Sequence, residues 1–303
     1  MPRGQPFTRI CQQAAQLAAE SRRADMHLHS TASDGLFTPT EVVQRAALRG
    51  LGAIALTDHD TLAGWEEALA ARSTCQQPPE IIPAVEITCS YRGRGLHLLA
   101  YFVDPYNAEL NQALAELRCR RRERFLQMLE RLPQLGLHIN EQDQEACLAR
   151  GHVLGRPDLA RLLCQAGLVA TPAEAFEKFL DDRGPVTIPN RGLPVAEAIE
   201  RVRSAGGVTS WAHPPLDVDL RQVEELRSLG LHALEAFHPS HSRQHETLLL
   251  HLAELTGLAV TGGSDNHGPT PTTRAIGTKA TTRSELLRLR SLARQGASSP
   301  CPS

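Results

Sequence analysis

Short apolar runs that each stop at a group of histidines and carboxylates constrain the fold most strongly. Residues 53–56 and 208–212 have the length and composition of buried strands. Segments with helical spacing, such as residues 40–51 and 220–229, separate such runs. This alternation predicts parallel strands joined by crossover helices. A chain of 303 residues is long enough for one large α/β barrel.

The side chains that follow the predicted strands are of the types that bind metal ions. Because barrels place ligands at the carboxyl ends of their strands, six such groups are expected to meet at one mouth. His27 and His29 are two residues apart, so on a strand they point to the same face. The candidate metal ligands are His27, His29, Asp34, His59, Glu86, His97, His213, Asp265 and His267.

Nine candidate ligands exceed the three that a single zinc with an open position takes, so a two- or three-metal site is predicted. Only three of the nine are carboxylates, which leaves three divalent ions with a surplus of positive charge. A phosphate ester would balance that surplus, so the ligand set favours an anionic substrate.

The middle of the chain differs from the rest, because it is helical in pattern and contains no strong strand. We therefore divide the chain into a flexible extension (residues 1–23), a barrel (24–104 and 183–290), a helical insertion that covers the site (105–182) and a disordered tail (291–303).

Composition indicates a globular cytoplasmic protein. Hydrophobic residues are 41% and charged residues 22%, and the formal net charge of -2 argues against a global basic field for nucleic acid. Seven cysteines without CxxC spacing, together with no visible signal peptide, favour reduced thiols in a cytosol. No apolar run approaches the ~18 residues of a membrane helix. We expect neither membrane association nor an obligate protein partner.

Four segments resemble the motifs of the PHP (polymerase and histidinol phosphatase) family. They are residues 25–35, 57–61, 211–214 and 263–268. The insertion carries Gly155-Arg156-Pro157 and the stretch 176–180, and His238-Pro239-Ser240-His241 follows a strand. These features are similar to the bacterial branch that removes the 3'-phosphate of nucleoside 3',5'-bisphosphates, whose relatives trim short RNA from its 5' end.

The resemblance implies a distorted seven-stranded (β/α) barrel with three divalent ions. Manganese is the metal it favours, with iron or zinc as alternatives. The first ion would be held by His27, His29, Glu86 and Asp265. The second would be held by Asp34, His59 and His267. The third would be held by His97, His213 and a bridging Glu86.

Three further residues are candidates for contact with the substrate. The planar guanidinium of Arg156, beside a predicted helix start, is suited to bind a phosphate through two hydrogen bonds. The alternative is a surface residue that caps the helix. His238 is a candidate proton donor or phosphate contact, and a structural turn histidine is the equal alternative. Arg191 is the third candidate. The arginines at 118–124 are interpreted as a solvated helix face, with a basic wall that guides RNA as the alternative.

The sequence thus predicts a phosphatase of nucleoside 3',5'-bisphosphates, with 5'-to-3' cleavage of short RNA as an additional activity. One alternative is a phosphatase of another small monoester such as histidinol phosphate. A non-catalytic PHP module and a metal-dependent amidohydrolase are rivals from other classes. Retention of all nine ligands argues against the non-catalytic module, and Arg156 favours the nucleotide substrate.

Overall fold

The computed structural model describes residues 23–181, 183–189, 192–269 and 272–298. Residues 1–22 of the predicted extension, and the candidate Arg191, lie outside the described residues. None of the helices within these ranges is both long and apolar enough to cross a membrane.

The amino-terminal part of the barrel follows the predicted strand–helix alternation. Strands β1, β2 and β3 pair in parallel, and each crossover between them contains one helix. The elements are β1 (Ala24–Leu28), α1 (Pro39–Leu48), β2 (Ala53–Leu56), α2 (Trp65–Ala71) and β3 (Glu80–Tyr91). Helix α1 begins at a capping box in which Thr38 accepts from the Glu41 backbone N–H, as expected for Thr followed three residues later by Glu.

Strand β4 (Arg94–Tyr101) is the exception to the parallel arrangement. It is antiparallel to β3, because only Arg92 and Gly93 connect the two strands and a parallel crossover needs a dozen or more residues. Both connecting residues have positive φ, 51° and 76°, as a tight hairpin turn requires. The start of β4 therefore lies at the same barrel end as the carboxyl ends of its parallel neighbours.

The carboxyl-terminal part completes a nearly closed barrel. Seven strands form the path β1-β2-β3-β4-β6-β7-β8, and the short β5 pairs with β3 outside it. The path closes where the His29 backbone N–H donates to the Asn266 carbonyl at 3.0 Å. The elements are β5 (Leu193–Pro194), α7 (Val195–Ser204), β6 (Val208–Trp211), α8 (Leu220–Ser228), β7 (Ala233–Phe237), α9 (Arg243–Thr256) and β8 (Ala259–Gly262).

The predicted insertion is helical in the structure and has a hydrophobic cluster of its own. Phe125, Leu159 and Leu163 are fully buried in that cluster. The helix α5 packs beside the barrel mouth, since Arg161 donates to the Asp34 carbonyl at 3.2 Å. The helices are α3 (Ala108–Arg131), α4 (Glu141–Leu148), α5 (Arg156–Gln165) and α6 (Pro172–Ala175), which continues into a π-helical turn at Phe176–Leu180.

The interpretation of the five arginines at 118–124 on α3 as a solvated face is wrong for three of them. Arg118, Arg121 and Arg124 are three residues apart and turn inward, where each donates to a group of the chain. Arg121 is buried and forms an ion pair with Asp60 at 2.5 Å. Arg120 and Arg122 are exposed, in line with the prediction. A guanidinium can be buried in this way when its charge is paired.

The prediction of a disordered tail from residue 291 is also wrong for residues 291–298. They are the last turns of helix α10 (Arg283–Ser298). Leu286, Leu289 and Ala293 follow helical spacing and pack on the alanines at the starts of the barrel strands. Burial of that apolar stripe stabilises a helix that composition alone did not indicate.

Candidate metal centre

The nine predicted ligand side chains meet at one end of the barrel, and Glu86 lies at their centre. Its Oε2 is 3.3 Å from His27 Nε2, 3.2 Å from His29 Nε2 and 3.1 Å from His59 Nδ1. Its Oε1 is 2.9 Å from His97 Nδ1 and 3.2 Å from His213 Nε2. One buried carboxylate thus faces five imidazoles from four separate segments of the chain, since His27 and His29 belong to the same one.

Two further carboxylates complete the cluster on either side of Glu86. Asp265 Oδ1 lies 3.4 Å from His27 Nε2 and 3.3 Å from His29 Nε2. Asp34 lies 3.8 Å from His59 Nε2 through one oxygen and 3.3 Å from His267 Nε2 through the other. His29 lies between the two carboxylates.

Local backbone geometry aims these side chains into the mouth. His213 and Asp265 have φ values of 32° and 48°, a region that non-glycine residues rarely adopt and that concentrates at functional sites. Gly263 lets the end of β8 approach β1 closely, since an added Cβ would lie 2.3 Å from His27 Cβ. The glycine is needed there because any side chain would push His27 away.

The polar atoms of the cluster are arranged as ligands for cations. His29 Nδ1 and Nε2, His59 Nδ1 and His97 Nδ1 are buried and have no hydrogen-bond partner among the described residues. Buried polar atoms are normally paired, so these nitrogens fit a site that binds metal ions. The groups close enough to hold an ion include His29–Asp34–His59–His267, His27–His29–Asp265 and His59–Glu86–His97.

Electrostatics favour cations in the same place. Burial alone would raise the pKa of each carboxyl, but the charges of nearby imidazoles outweigh it and hold the pKa of Asp34, Glu86 and Asp265 well below its ordinary value. Burial lowers the pKa of His59 well below its usual range. Burial also acts to lower the pKa of His29, but the negative charge of Asp265 and Glu86 raises it to about 10. The charge that retains a proton there also attracts a metal cation.

The cluster opens to solvent on one side. The side chains of His27 and His29 are fully buried, whereas those of His97 and His267 are 26% exposed and that of His213 is 34% exposed. A ligand can therefore reach the site from the side formed by these three histidines.

The candidate substrate residues lie in different surroundings. The side chain of His238 is only 3% exposed, and its Nε2 is 3.2 Å from Asp265 Oδ2. Arg156 donates to the Leu180 carbonyl at 3.0 Å, inside the insertion, and its guanidinium lies over the Phe176 ring. The neighbouring Gly155 is close to the cluster, since an added Cβ would lie 3.3 Å from Asp34 Oδ2.

Two charged residues at the site were missed by sequence reasoning. Glu235 on β7 is fully buried and contacts His27, and a lone glutamate inside an apolar strand was the signal available. Arg274 donates to Asp265 Oδ2 at 2.5 Å with its side chain 38% exposed. Its position in a short 3-10 helix after β8 gave no signal.

A nearly closed α/β barrel with histidines and carboxylates gathered at its mouth defines a metal-dependent hydrolase, in which cations would act on an oxygen-rich substrate. Comparison with known proteins narrows this class. A model of the PHP domain matches residues 25–180, just over half of the 303-residue chain. The chain belongs to the PHP domain family and is a metal-dependent phosphoesterase, which confirms the predicted fold and enzyme class.

Relatives and solved structures agree with this assignment. The 5'-3' exoribonuclease of Haemophilus influenzae is 31% identical over 256 residues, covering 82% of this chain and 91% of that protein. The 3',5'-nucleoside bisphosphate phosphatase of Chromobacterium violaceum is 31% identical over 258 residues, covering 84% and 90%. A crystal structure from Bifidobacterium adolescentis, assigned as a metal-dependent phosphoesterase, superposes with a TM-score of 0.81 at 31% identity, covering 89% and 96%.

Proposed function

We propose that this enzyme removes the 3'-phosphate from nucleoside 3',5'-bisphosphates, such as adenosine 3',5'-bisphosphate to AMP, in the cytoplasm. We further propose 5'-to-3' cleavage of short RNA as a second activity of the same site. The names of the relatives from Chromobacterium violaceum and Haemophilus influenzae support these two substrates. The observation that carries the proposal is the cluster of buried imidazole nitrogens without hydrogen-bond partners among the described residues, which faces three ionised carboxylates.

Three divalent cations, with manganese as the preferred metal, fit this cluster. The first position would use His27, His29, Glu86 and Asp265. The second would use Asp34, His59 and His267. The third would use His97, His213 and the bridging Glu86. Bound there, the cations would supply an activated water and neutralise the phosphoryl oxygens of the substrate.

His238 is the residue proposed to hold a proton for the leaving group. The Ser240 backbone N–H donates to His238 Nδ1 at 3.2 Å, so the neutral ring carries its proton on Nε2. That Nε2 donates to Asp265 Oδ2 at 3.2 Å, beside the proposed first metal position.

Cationic groups near the mouth support an anionic substrate. Arg274 is partly exposed beside Asp265, where its guanidinium offers further N–H donors. Arg156 and Arg191 remain proposed phosphate contacts. For Arg156 this requires the side chain to leave the Leu180 carbonyl, to which it donates.

Steady-state kinetics of the manganese-supplied enzyme test the proposal. Adenosine 3',5'-bisphosphate, histidinol phosphate and a 5'-phosphorylated oligoribonucleotide would be compared at equal concentrations. We expect the bisphosphate to give the highest kcat/KM, with AMP and inorganic phosphate as products. A preference for histidinol phosphate would replace the proposed substrate, and no cleavage of any phosphoester would favour a non-catalytic module.

A further inference from the structure

Glu235 on β7 contacts one candidate ligand from each of two proposed metal positions. Its side chain is fully buried, and each carboxylate oxygen has one partner. Oε1 lies 2.9 Å from His27 Nδ1, and Oε2 accepts from the His213 backbone N–H at 2.7 Å. Glu235, His27 and His238 are close enough to hold an ion. Because each oxygen of Glu235 already has one of these two contacts, and His27 Nε2 faces the other carboxylates, the arrangement suits orientation of the histidines better.

The first contact selects the tautomer of His27. A carboxylate only accepts hydrogen bonds, so the proton of the neutral imidazole must lie on Nδ1. The lone pair is then on Nε2, which faces Glu86 Oε2 at 3.3 Å and Asp265 Oδ1 at 3.4 Å. A metal ligand needs its lone pair on the atom that faces the ion, and a carboxylate behind the ring is the usual way to ensure it.

The second contact holds the backbone of His213. This residue has a φ of 32°, a strained value that persists only when its surroundings enforce it. The bond from its N–H to Glu235 fixes the strained peptide and thereby turns the side chain toward the centre, where Nε2 is 3.2 Å from Glu86 Oε1. The same carboxylate therefore acts on a strand β1 ligand and on a strand β6 ligand.

We propose that Glu235 is a positioning residue for two of the three metal positions. It orients His27 in one position and His213 in the other. The second position, at Asp34, His59 and His267, draws on none of the described contacts of Glu235. The inference rests on the proposed metal centre. It divides the three proposed metal positions into two that depend on Glu235 and one that does not.

The variant Glu235→Gln tests the inference. Its metal-free form is titrated with Mn²⁺ alone, and binding is measured by calorimetry and by the manganese that remains after dialysis. The amide has the shape of the carboxylate, but it accepts through one atom only and carries no charge, so one contact is lost and the other is weakened. We expect two of three ions to bind about 10–100-fold more weakly, the usual effect of losing a partner behind a metal ligand, with the third unchanged.

The control is Glu246→Gln on α9, which makes the same chemical change at a mostly buried glutamate that pairs with Lys279. We expect this variant to bind manganese like the unaltered protein. Unchanged binding of all three ions by Glu235→Gln, or equal weakening of all three, would overturn the inference. Failure of the unaltered protein to bind manganese would instead overturn the proposed metal centre itself.

A measurement on the unaltered protein covers the case in which Glu235→Gln does not fold. Histidine ¹⁵N chemical shifts report which ring nitrogen carries the proton, and the His27 signals can be assigned by their loss in His27→Gln. In the manganese-free protein, at a pH raised until the His27 ring is neutral, we expect the remaining proton on Nδ1. A neutral His27 with its proton on Nε2 would contradict the proposed role.

Discussion

At the scale of single residues, Glu86 has the most demanding position in the site. Its two oxygens face five imidazoles, so its removal withdraws negative charge from every proposed metal position that it borders. Asp34 and Asp265 each lie on one side of the cluster. The centre of the site therefore depends more on one carboxylate than on any single histidine.

Glu86→Gln is expected to lower kcat/KM by on the order of 100-fold or more. Loss of a residue that only hydrogen-bonds to a metal ligand already lowers metal affinity or activity by about 10–100-fold, and Glu86 is itself a proposed ligand. Metal content should fall in parallel. Activity assays with added manganese and elemental analysis of the same samples measure both effects. Full activity with a full metal content would show that Glu86 has no bridging role.

Arg274→Gln should weaken the enzyme through the substrate. Hydrogen bonds to charged groups contribute about 1.5–3 kcal/mol, which corresponds to roughly a 10–100-fold loss in kcat/KM. Bound manganese should not change, since Arg274 is no candidate ligand. Kinetics with adenosine 3',5'-bisphosphate and elemental analysis distinguish the two effects. Loss of manganese would show that Arg274 acts by holding Asp265 in place.

At the scale of elements, the insertion is fastened to the barrel by a buried ion pair. Arg121 of α3 donates to Asp60 and to Thr88, and Asp60 also accepts from the Thr88 backbone N–H at 2.7 Å. Asp60 follows the candidate ligand His59 directly. The long helix of the insertion is thus connected to the segment that presents this histidine.

Arg121→Met is expected to lower the free energy of unfolding by about 3–5 kcal/mol, because it leaves the buried Asp60 charge unpaired. Arg120→Met on the exposed face of the same helix is the matched control and should change it by no more than about 0.5 kcal/mol. Urea unfolding of both variants provides the comparison. Equal effects in the two variants would mean that the ion pair does not stabilise the fold.

The contact between β8 and β1 is expected to tolerate no side chain at Gly263. Gly263→Ala should destabilise the protein by about 1–3 kcal/mol, the typical effect of overpacking, since the new methyl group would collide with His27. Gly95→Ala is the matched control, because an added Cβ there meets nothing within 4 Å. Thermal unfolding measures both. Similar melting temperatures for the two variants would contradict the close approach.

Elements that the sequence predicted well were those with one dominant physical signal. Strands β2 and β6–β8 are short runs rich in apolar residues that end at polar clusters, a pattern that favours buried strands. The direction of β4 was not readable as such, since its pattern is the same in either direction and only the short turn at Arg92–Gly93 decides it. Glu235 and Arg274 were missed because their roles depend on contacts with residues far away in the chain.

At the scale of the whole molecule, metal binding and folding should be linked. A ligand that binds only the folded state stabilises it by about 2.7 kcal/mol at one hundred times its dissociation constant. Removal of metal with a chelator should therefore lower the melting temperature, and added manganese should restore it. Scanning calorimetry before and after dialysis measures the shift. An unchanged melting temperature would show that the folded chain binds no cation.

The meeting of β1 with the segment after β8 has a consequence for synthesis. A chain that emerges from the ribosome in order presents His27 and His29 first and Asp265 and His267 last. Until that last segment is made, one edge of β1 remains unpaired, and one of the two carboxylates that face both early histidines is missing. A prematurely terminated polypeptide would therefore carry most of the candidate ligands without a complete centre, and we expect it to be inactive.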